Sequence, residues 1–169
     1  SEPFKGMFTQ GMVCHETYKN QSNEWIEPSM VTKNNDGCFH IQTKEALAIG
    51  SPEKMSKSKK NVIDPDAIIK EYGADTARWF VLSDSPPDRD IFWSESGVEA
   101  AGKFIRKIWN TILHLDDLSK KKETNINSAS QNLRGENHKT LSKVSSDLDS
   151  LSFNKVIASL YSYVGDISK

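Results

Sequence analysis

Apolar positions along this chain change their rhythm twice. From residue 8 to residue 50 they come as short clusters: Phe8-Thr9-Gln10-Gly11-Met12-Val13, then Trp25-Ile26, Met30-Val31 and Phe39-His40-Ile41. The first reads as a short strand broken by a glycine. Polar clusters separate the others, Lys19-Asn20-Gln21-Ser22-Asn23 and Lys33-Asn34-Asn35-Asp36-Gly37. Asp-Gly between short apolar runs is a hairpin signal, because glycine supplies the positive φ. The pattern predicts a small antiparallel unit over about residues 12–50, closed by Gly50-Ser51-Pro52.

After a lysine- and serine-rich loop at 53–61, residues 62–92 read as short helices. Asp64-Pro65-Asp66 is a helix start: Asp64 caps, Pro65 fits the first turn, and acid there suits the dipole. Ile68, Ile69 and Tyr72 give the apolar face and Gly73 the stop. A second short helix is expected from Asp75, as its cap, through Leu82, ended by Ser85-Pro86-Pro87.

From Ser94 onward the apolar spacing becomes three and four. Val98, Ala101, Ile105, Ile108, Ile112 and Leu115 predict a helix of roughly 25 residues. Residues 119–137 are polar and read as a flexible connection. Leu141, Val144 and Leu148 mark a third helix in this region, and Phe153, Val156, Ile157, Leu160, Val164 and Ile167 a fourth. Such stripes must pack on one another, so a helical bundle is expected. The last stripe is still running at Lys169, so the bundle reads as incomplete.

The 169 residues suit one domain or two small ones, and 36% apolar content can fill a core. No apolar run approaches the roughly 18 residues of a membrane span, and the first residues lack a secretory pattern. There is no initiator Met, and the chain reads as an excised piece of something longer. Cys14-His15 and Cys38-x-His40 raise the thought of zinc, but adjacent Cys-His cannot easily chelate one ion and neither half has knuckle spacing. Free thiols in a reducing cytosol are the expectation, with no metal bound.

Net charge is only -1, which excludes a global field toward nucleic acid or membrane. The distribution is more telling. Residues 1–53 carry four basic and seven acidic side chains, whereas residues 54–60 carry four lysines and no acid. That cationic spot marks a local anion site. Lys54-Met55-Ser56-Lys57-Ser58-Lys59-Lys60-Asn61 offers ammonium groups on flexible stems and hydroxyls suited to phosphate oxygens. At about 4 Å, one lysine–phosphate pair is worth about 1 kcal/mol in water and about 4 at an effective dielectric of 20. A loop that closes and excludes water would therefore strengthen it. Against this stands the ordinary reading of such a run as a solvated surface loop.

The KMSKS word, set between a β region and a capped helix, resembles the signature loop of class I aminoacyl-tRNA synthetases. Its surroundings resemble leucyl-tRNA synthetase: Phe8 to Val13, Val62-Ile63-Asp64-Pro65, Tyr72-Gly73-Ala74-Asp75-Thr76-Ala77-Arg78-Trp79-Phe80, Ser83-Asp84-Ser85-Pro86-Pro87 and Trp93-Ser94-Glu95-Ser96-Gly97-Val98. Phe153-Asn154-Lys155-Val156-Ile157-Ala158 is similar to its helical-bundle segment. Isoleucyl and valyl relatives usually carry Leu-Gly where Lys59-Lys60 precedes Asn61 here, and they remain the alternative.

The resemblance implies an α+β chain in three parts. Residues 1–61 would end a Rossmann-type catalytic domain, with the β-hairpin unit and the KMSKS loop. Residues 62–92 would be connecting stem helices, and 93–169 the start of an anticodon-binding bundle. It implies activation of leucine with ATP, Mg²⁺ riding on the triphosphate, release of pyrophosphate, and transfer of leucine to tRNA(Leu) by a cytoplasmic protein. Lys57 resembles the residue that binds the ATP phosphates in the transition state, and Lys54 an auxiliary phosphate contact or loop anchor. Met55, Ser56 and Ser58 complete the ATP loop, and Gly11 and Met12 border the adenosine pocket at the end of a core strand. Arg106, Lys107, Lys120, Lys121 and Lys122 are the tRNA-side candidates, with Arg78 and Arg89 behind them. A solvated helix face is the ordinary reading of each basic residue singly.

The family's partner His-x-Gly-His word occurs nowhere in this sequence; His15, His40, His114 and His138 do not fit it. The chain is therefore expected to be inactive alone, because half a site cannot organise both ends of the triphosphate; it is also expected to be a monomer. A second class of reading is a synthetase-like nucleic-acid or scaffold module without catalysis. Tight, salt-tolerant tRNA binding by the isolated chain would favour it.

Overall fold

The computed structural model describes residues 3–4, 6–120 and 128–168. They form two compact units, one of residues 1–71 with 88–95 and one of 72–87 with 96–169. The secondary structure is mixed α+β, as the sequence leads one to expect.

The first unit is built around one strand. β1, Val13–Lys19, buries residues from both of its faces: Cys14 and Tyr18 on one parity, His15 and Thr17 on the other. Burial on both sides is the mark of a central strand. β2, Trp25–Ile26, and β5, Ala48–Lys54, pair with it antiparallel along opposite edges. Between the His15–Glu53 and Thr17–Gly50 pairs, Ser51 and Pro52 stand opposite Glu16 alone. The bulge accommodates a proline that cannot donate to the ladder. β6, Ile91–Phe92, returns to pair parallel with Val13 and Cys14, and Ile91 is only 1% exposed.

β3, Val31–Asn34, and β4, Gly37–His40, form the expected hairpin, one residue out of the expected frame. Asn34 pairs with Gly37, so Asn35 and Asp36 are the loop and Gly37, at φ +138°, opens the second strand. The Asp36 N–H donates to Asn34 Oδ1 at 3.0 Å, a side-chain turn that favours this frame. Tyr18, Cys38 and Leu47, with Ile26 and Val31 against them, form the core beneath the hairpin. Both cysteines are buried free thiols, and no His/Cys/Asp/Glu cluster among the described residues could hold a metal ion.

Two sequence expectations are corrected in this unit. The strand expected at Phe8–Val13 begins only at Val13, because residues before it run beside the segment that leads into β6. Residues 91–92, expected within the stem helices, belong to the sheet. α1, Pro65–Tyr72, starts where expected, with Asp64 Oδ1 accepting the Asp66 N–H at 3.1 Å.

In the second unit α2, Ala74–Asp84, α3, Glu95–Ser119, α4, Ser128–Asp149, and α5, Phe153–Ile167, supply the helices. α3 has the 25 residues its stripe predicts. Val98, Ala101 and Phe104 bury its first half, together with Phe80 of α2 and Val156, Ile157 and Val164 of α5. Phe104 stacks on Tyr161 at 3.7 Å between centroids, and Trp79 packs on both at 5.3 and 6.2 Å. Gly73 rather than Asp75 caps α2; Asp75 lies in the first turn and pairs with Arg78 at 2.9 Å.

The flexible connection expected at 119–137 is also corrected, since residues 128–137 are helical. The composition there lacks an apolar stripe and includes Gly135, but it contains no proline, and Asn137 Oδ1 accepts the Tyr163 hydroxyl of α5 at 2.7 Å. Residues 121–127 lie outside the described residues. Leu141 and Leu148, expected in the core, are exposed, as are Ile112 and Leu115 of α3. α4 ends in a Schellman motif without glycine: the Ser152 N–H bonds to Asp147 O and the Leu151 N–H to Leu148 O, with Leu151 left-handed at φ +56°. No helix among the described residues is long and apolar enough to cross a membrane.

A polar cluster ties the hairpin to β1. Glu16 Oε2 accepts the Tyr18 hydroxyl at 2.8 Å and pairs with Lys33 of β3. Burial would raise Glu16, but its bonds to Lys33 and Tyr18 hold it below the usual carboxylate value. Burial and Glu16 push Tyr18 up to about 12. Burial lowers His15, partly offset by its bond to the Glu16 carbonyl at 3.0 Å. A histidine held low is neutral in the folded chain and protonated when unfolded, so stability falls as pH drops through the ordinary value of 6.5 toward the folded one. The expected outcome is an NMR titration of His15 below 6.5. A urea midpoint that declines on acidification should flatten in His15→Gln. A titration at or above the ordinary value would contradict this.

Candidate functional site

The end of the sheet that holds Val13 also holds the lysine loop. β5 delivers Lys54 opposite Cys14, and the Met55 N–H extends the ladder to Val13 O at 3.1 Å. The chain then leaves the sheet in one turn of 3₁₀-helix, Lys57–Lys59. Ser56 caps it: its Oγ accepts the Lys59 N–H at 3.3 Å and lies 3.2 Å from Ser58 Oγ. The Lys60 N–H bonds back to Lys57 O at 3.2 Å, and Lys60 takes the left-handed conformation at φ +53°. Serine is a preferred cap and its hydroxyl is used here for that.

Asn61 follows the turn and is 1% exposed. Its Nδ2 donates toward His15 O at 3.2 Å, Glu53 O at 3.1 Å and Lys54 O at 3.4 Å, and its Oδ1 accepts the Ser56 N–H at 2.8 Å. One buried amide thus joins β1, β5 and both ends of the loop. Sequence reasoning gave Asn61 no role, because an asparagine after a polar run reads as more loop. The only available signal was its place at the point where the chain turns back to the apolar Val62-Ile63.

Lys59 pairs with Glu53, both partly exposed, so one of the four lysines is neutralised inside the loop. Such a half-exposed pair contributes on the order of 1 kcal/mol or less. Lys54, Lys57 and Lys60 are exposed and make no ion pair among the described residues. Three cations therefore stand within seven residues on a backbone that its own hydrogen bonds hold. Met55 and Ser56 are half-buried and Ser58 is exposed.

Gly11 and Met12 lie beside this loop, next to Val13. A side chain at Gly11 would place its Cβ 1.9 Å from Arg89 O, so only glycine allows the two backbones to approach. The Met12 N–H donates to Asp90 Oδ1 at 2.8 Å, its carbonyl accepts the Ile91 N–H at 2.9 Å, and its side chain is 42% exposed. Arg89 is exposed.

The basic candidates of the second unit are gathered differently. Arg106 and Lys107 are exposed on α3 and line a groove of about 710 Å³ with Lys103, Asn110, His114 and Leu115. Lys120 is held by Asp116 at 2.7 Å and Asp117 at 3.5 Å. Lys121 and Lys122 lie outside the described residues.

A cation-bearing, self-capped loop at a sheet end, followed by a capped helix, is chemically suited to an anion, and comparison with known proteins shows what it is similar to. Residues 49–94 match the model for "tRNA synthetases class I (I, L, M and V)". The span covers β5, the lysine loop, α1, α2 and β6. Over that segment the chain is similar to class I tRNA synthetases. Along nearly its whole length it is similar to leucyl enzymes. It is 44% identical to the leucine–tRNA ligase of Hyphomonas neptunium and 49% to that of Sinorhizobium medicae, each over 99% of this chain. The leucine–tRNA ligase of Agrobacterium fabrum is likewise 49% identical over 99%. The chain spans about a fifth of the length of these curated relatives, 20% in each. Among solved structures it is similar to a LeuRS of Agrobacterium radiobacter K84, crystallised as a ternary complex with tRNA and LeuAMS. The TM-score is 0.57 at 26% identity, over 66% of this chain and 15% of that one.

The hydrogen bonds of the loop predict its exchange behaviour. The Ser56 amide, bonded to a buried acceptor, should exchange with solvent far more slowly than the amides of Lys57 and Ser58 in an NMR exchange experiment. Equal rates at the three positions would contradict a pinned loop.

Proposed function

We propose that this chain is the part of a leucine–tRNA ligase that presents the phosphate-binding loop to ATP. The whole protein would activate leucine to leucyl-adenylate, release pyrophosphate, and transfer leucine to tRNA(Leu). Residues 1–61 would end its catalytic domain, 62–92 connect, and 93–169 begin the anticodon-side bundle. The observation that carries the reading is the exposed Lys54, Lys57 and Lys60 on a hydrogen-bonded turn, in a chain nearly half identical to leucyl enzymes.

In this reading Lys57 is the catalytic ammonium. As the α–β phosphate bond breaks, charge builds on the departing pyrophosphate oxygens, and a cation placed there stabilises the transition state more than the ground state. Lys54, at the strand end, is the second phosphate contact and anchors the loop. Mg²⁺ enters on the triphosphate as part of the substrate. Ser56 and Met55 shape the loop, since the Ser56 hydroxyl caps it and the Met55 N–H extends the ladder, while the exposed Ser58, its hydroxyl 3.2 Å from that of Ser56, would turn to donate to phosphate. Gly11 and Met12 form the floor beside it. Arg106 and Lys107 contact tRNA phosphates, with Lys121 and Lys122 candidates for the same role. Lys120 is a weaker one, because two aspartates already hold it. The protein would work as a monomer in the cytoplasm.

The test is made in the full-length enzyme. Lys57→Ala should slow adenylate formation by about 10²-fold or more in pre-steady-state kinetics and leave the KM for leucine roughly unchanged. An unchanged activation rate would remove Lys57 from the role. The 169-residue chain assayed alone should give no leucine-dependent ATP–pyrophosphate exchange, and measurable exchange would contradict the half-site reading.

A further inference from the structure

We infer that Asn61 is a positioning residue for the activation step: its buried carboxamide fixes the backbone that carries Lys54 and Lys57 where phosphate must meet them. The inference rests on the functional reading above, since Asn61 acts only through those lysines.

Three observations carry it. First, Asn61 is among the most fully buried large side chains of the described residues, in company with Ile91 and Val98, yet it is polar. A buried amide is retained only when its bonds are made. Second, those bonds reach three different pieces of chain. The two Nδ2 protons serve the carbonyls of His15 in β1 and of Glu53 and Lys54 in β5, and Oδ1 receives the Ser56 N–H. Third, Ser56 opens the turn and Asn61 closes it, so the bond between them shuts a six-residue loop around the 3₁₀ turn. Lys57 is therefore carried on backbone whose two ends meet at a single side chain.

No other residue type does this in the same space. The carbonyls require more than one donor proton and the Ser56 amide an acceptor, and among side chains of this length only the asparagine amide offers two donors together with an acceptor, a hydroxyl having a single proton to give. Aspartate keeps the volume and the acceptor but turns a charge onto the carbonyls. Glutamine adds a methylene to a filled site. Residues outside the reacting shell matter in this way because misplacing a catalytic group by about 1 Å costs up to about 10²-fold in rate.

The experiment uses the full-length enzyme with Asn61→Ala, Asn61→Asp, Lys57→Ala and the double variant Asn61→Ala/Lys57→Ala. Three quantities are read: single-turnover adenylate formation, the KM for leucine, and transfer of leucine from preformed leucyl-adenylate to tRNA. Both Asn61 variants should slow adenylate formation by about 10- to 100-fold. Transfer and the KM for leucine should stay at the parent values. The double variant should be slower than Lys57→Ala alone by clearly less than the factor Asn61→Ala costs in the parent, because part of the Asn61 effect runs through Lys57 and only the Lys54 share is left to lose. Losses that add in the double variant, an unchanged activation rate, or a parallel loss of activation and transfer would each overturn the inference, the last by showing a purely structural amide. Should Lys57→Ala itself leave activation unchanged, the functional reading falls first and this inference with it.

Discussion

The antiparallel pairing of β1 with β5 is the constraint on which the site depends. It joins residues 14–19 to 48–54, across the 28 intervening residues that hold β2 and the hairpin. By doing so it sets the carboxyl end of β5, and with it the lysine loop, beside the entry to β1. The Val13 carbonyl takes the Met55 N–H, β6 lies along Val13 and Cys14, and the Asn61 amide spans both strands from below the turn. Each contact is one hydrogen bond of modest net worth, on the order of 1 kcal/mol. Together they leave the loop few ways to be arranged. A cluster of exposed lysines would otherwise cost side-chain and backbone entropy each time an anion was bound.

The second unit is ordered by different means. Three aromatic rings, Trp79, Phe104 and Tyr161, meet where α2, α3 and α5 pack, at the edge of a core in which Phe80 and aliphatic side chains are buried. Offset ring contacts add about 0.5–1.5 kcal/mol beyond their buried area. α4 contributes little to that core; it lies along α5 with polar contacts such as that of Tyr163 to Asn137. Ile112 and Leu115 of α3 and Leu141 of α4 remain exposed, so the apolar stripes extend beyond what the described residues cover.

What could be read from the sequence follows a physical division. Patterns that repeat locally were legible: the α3 stripe, the capped start of α1 at Asp64-Pro65, the hairpin, and the lysine word itself. Features that depend on distant partners were not. β6 is a two-residue strand defined by where it docks, and the Phe8–Val13 run looked like a strand because its Gly11 is there for close backbone approach and not for a turn. Leu151 ends α4 in a conformation normally marked by glycine, and the polar start of α4 gave no periodic signal. Asn61 had no signature at all, since burial of a polar side chain is invisible until the strands that receive it are in place. The comparisons added the likeness to leucyl enzymes, while the roles of single side chains rest on the geometry of the loop.

The central claim is that a hydrogen-bonded turn holds the Lys57 ammonium ready for a nucleotide's phosphates as they separate. A crystal structure of the full-length enzyme with a non-hydrolysable ATP analogue and leucine tests it most directly. The account predicts Lys57 Nζ within hydrogen-bond distance of a triphosphate oxygen, with the Ser56–Asn61 bond intact. A triphosphate bound with Lys57 directed into bulk solvent would contradict it.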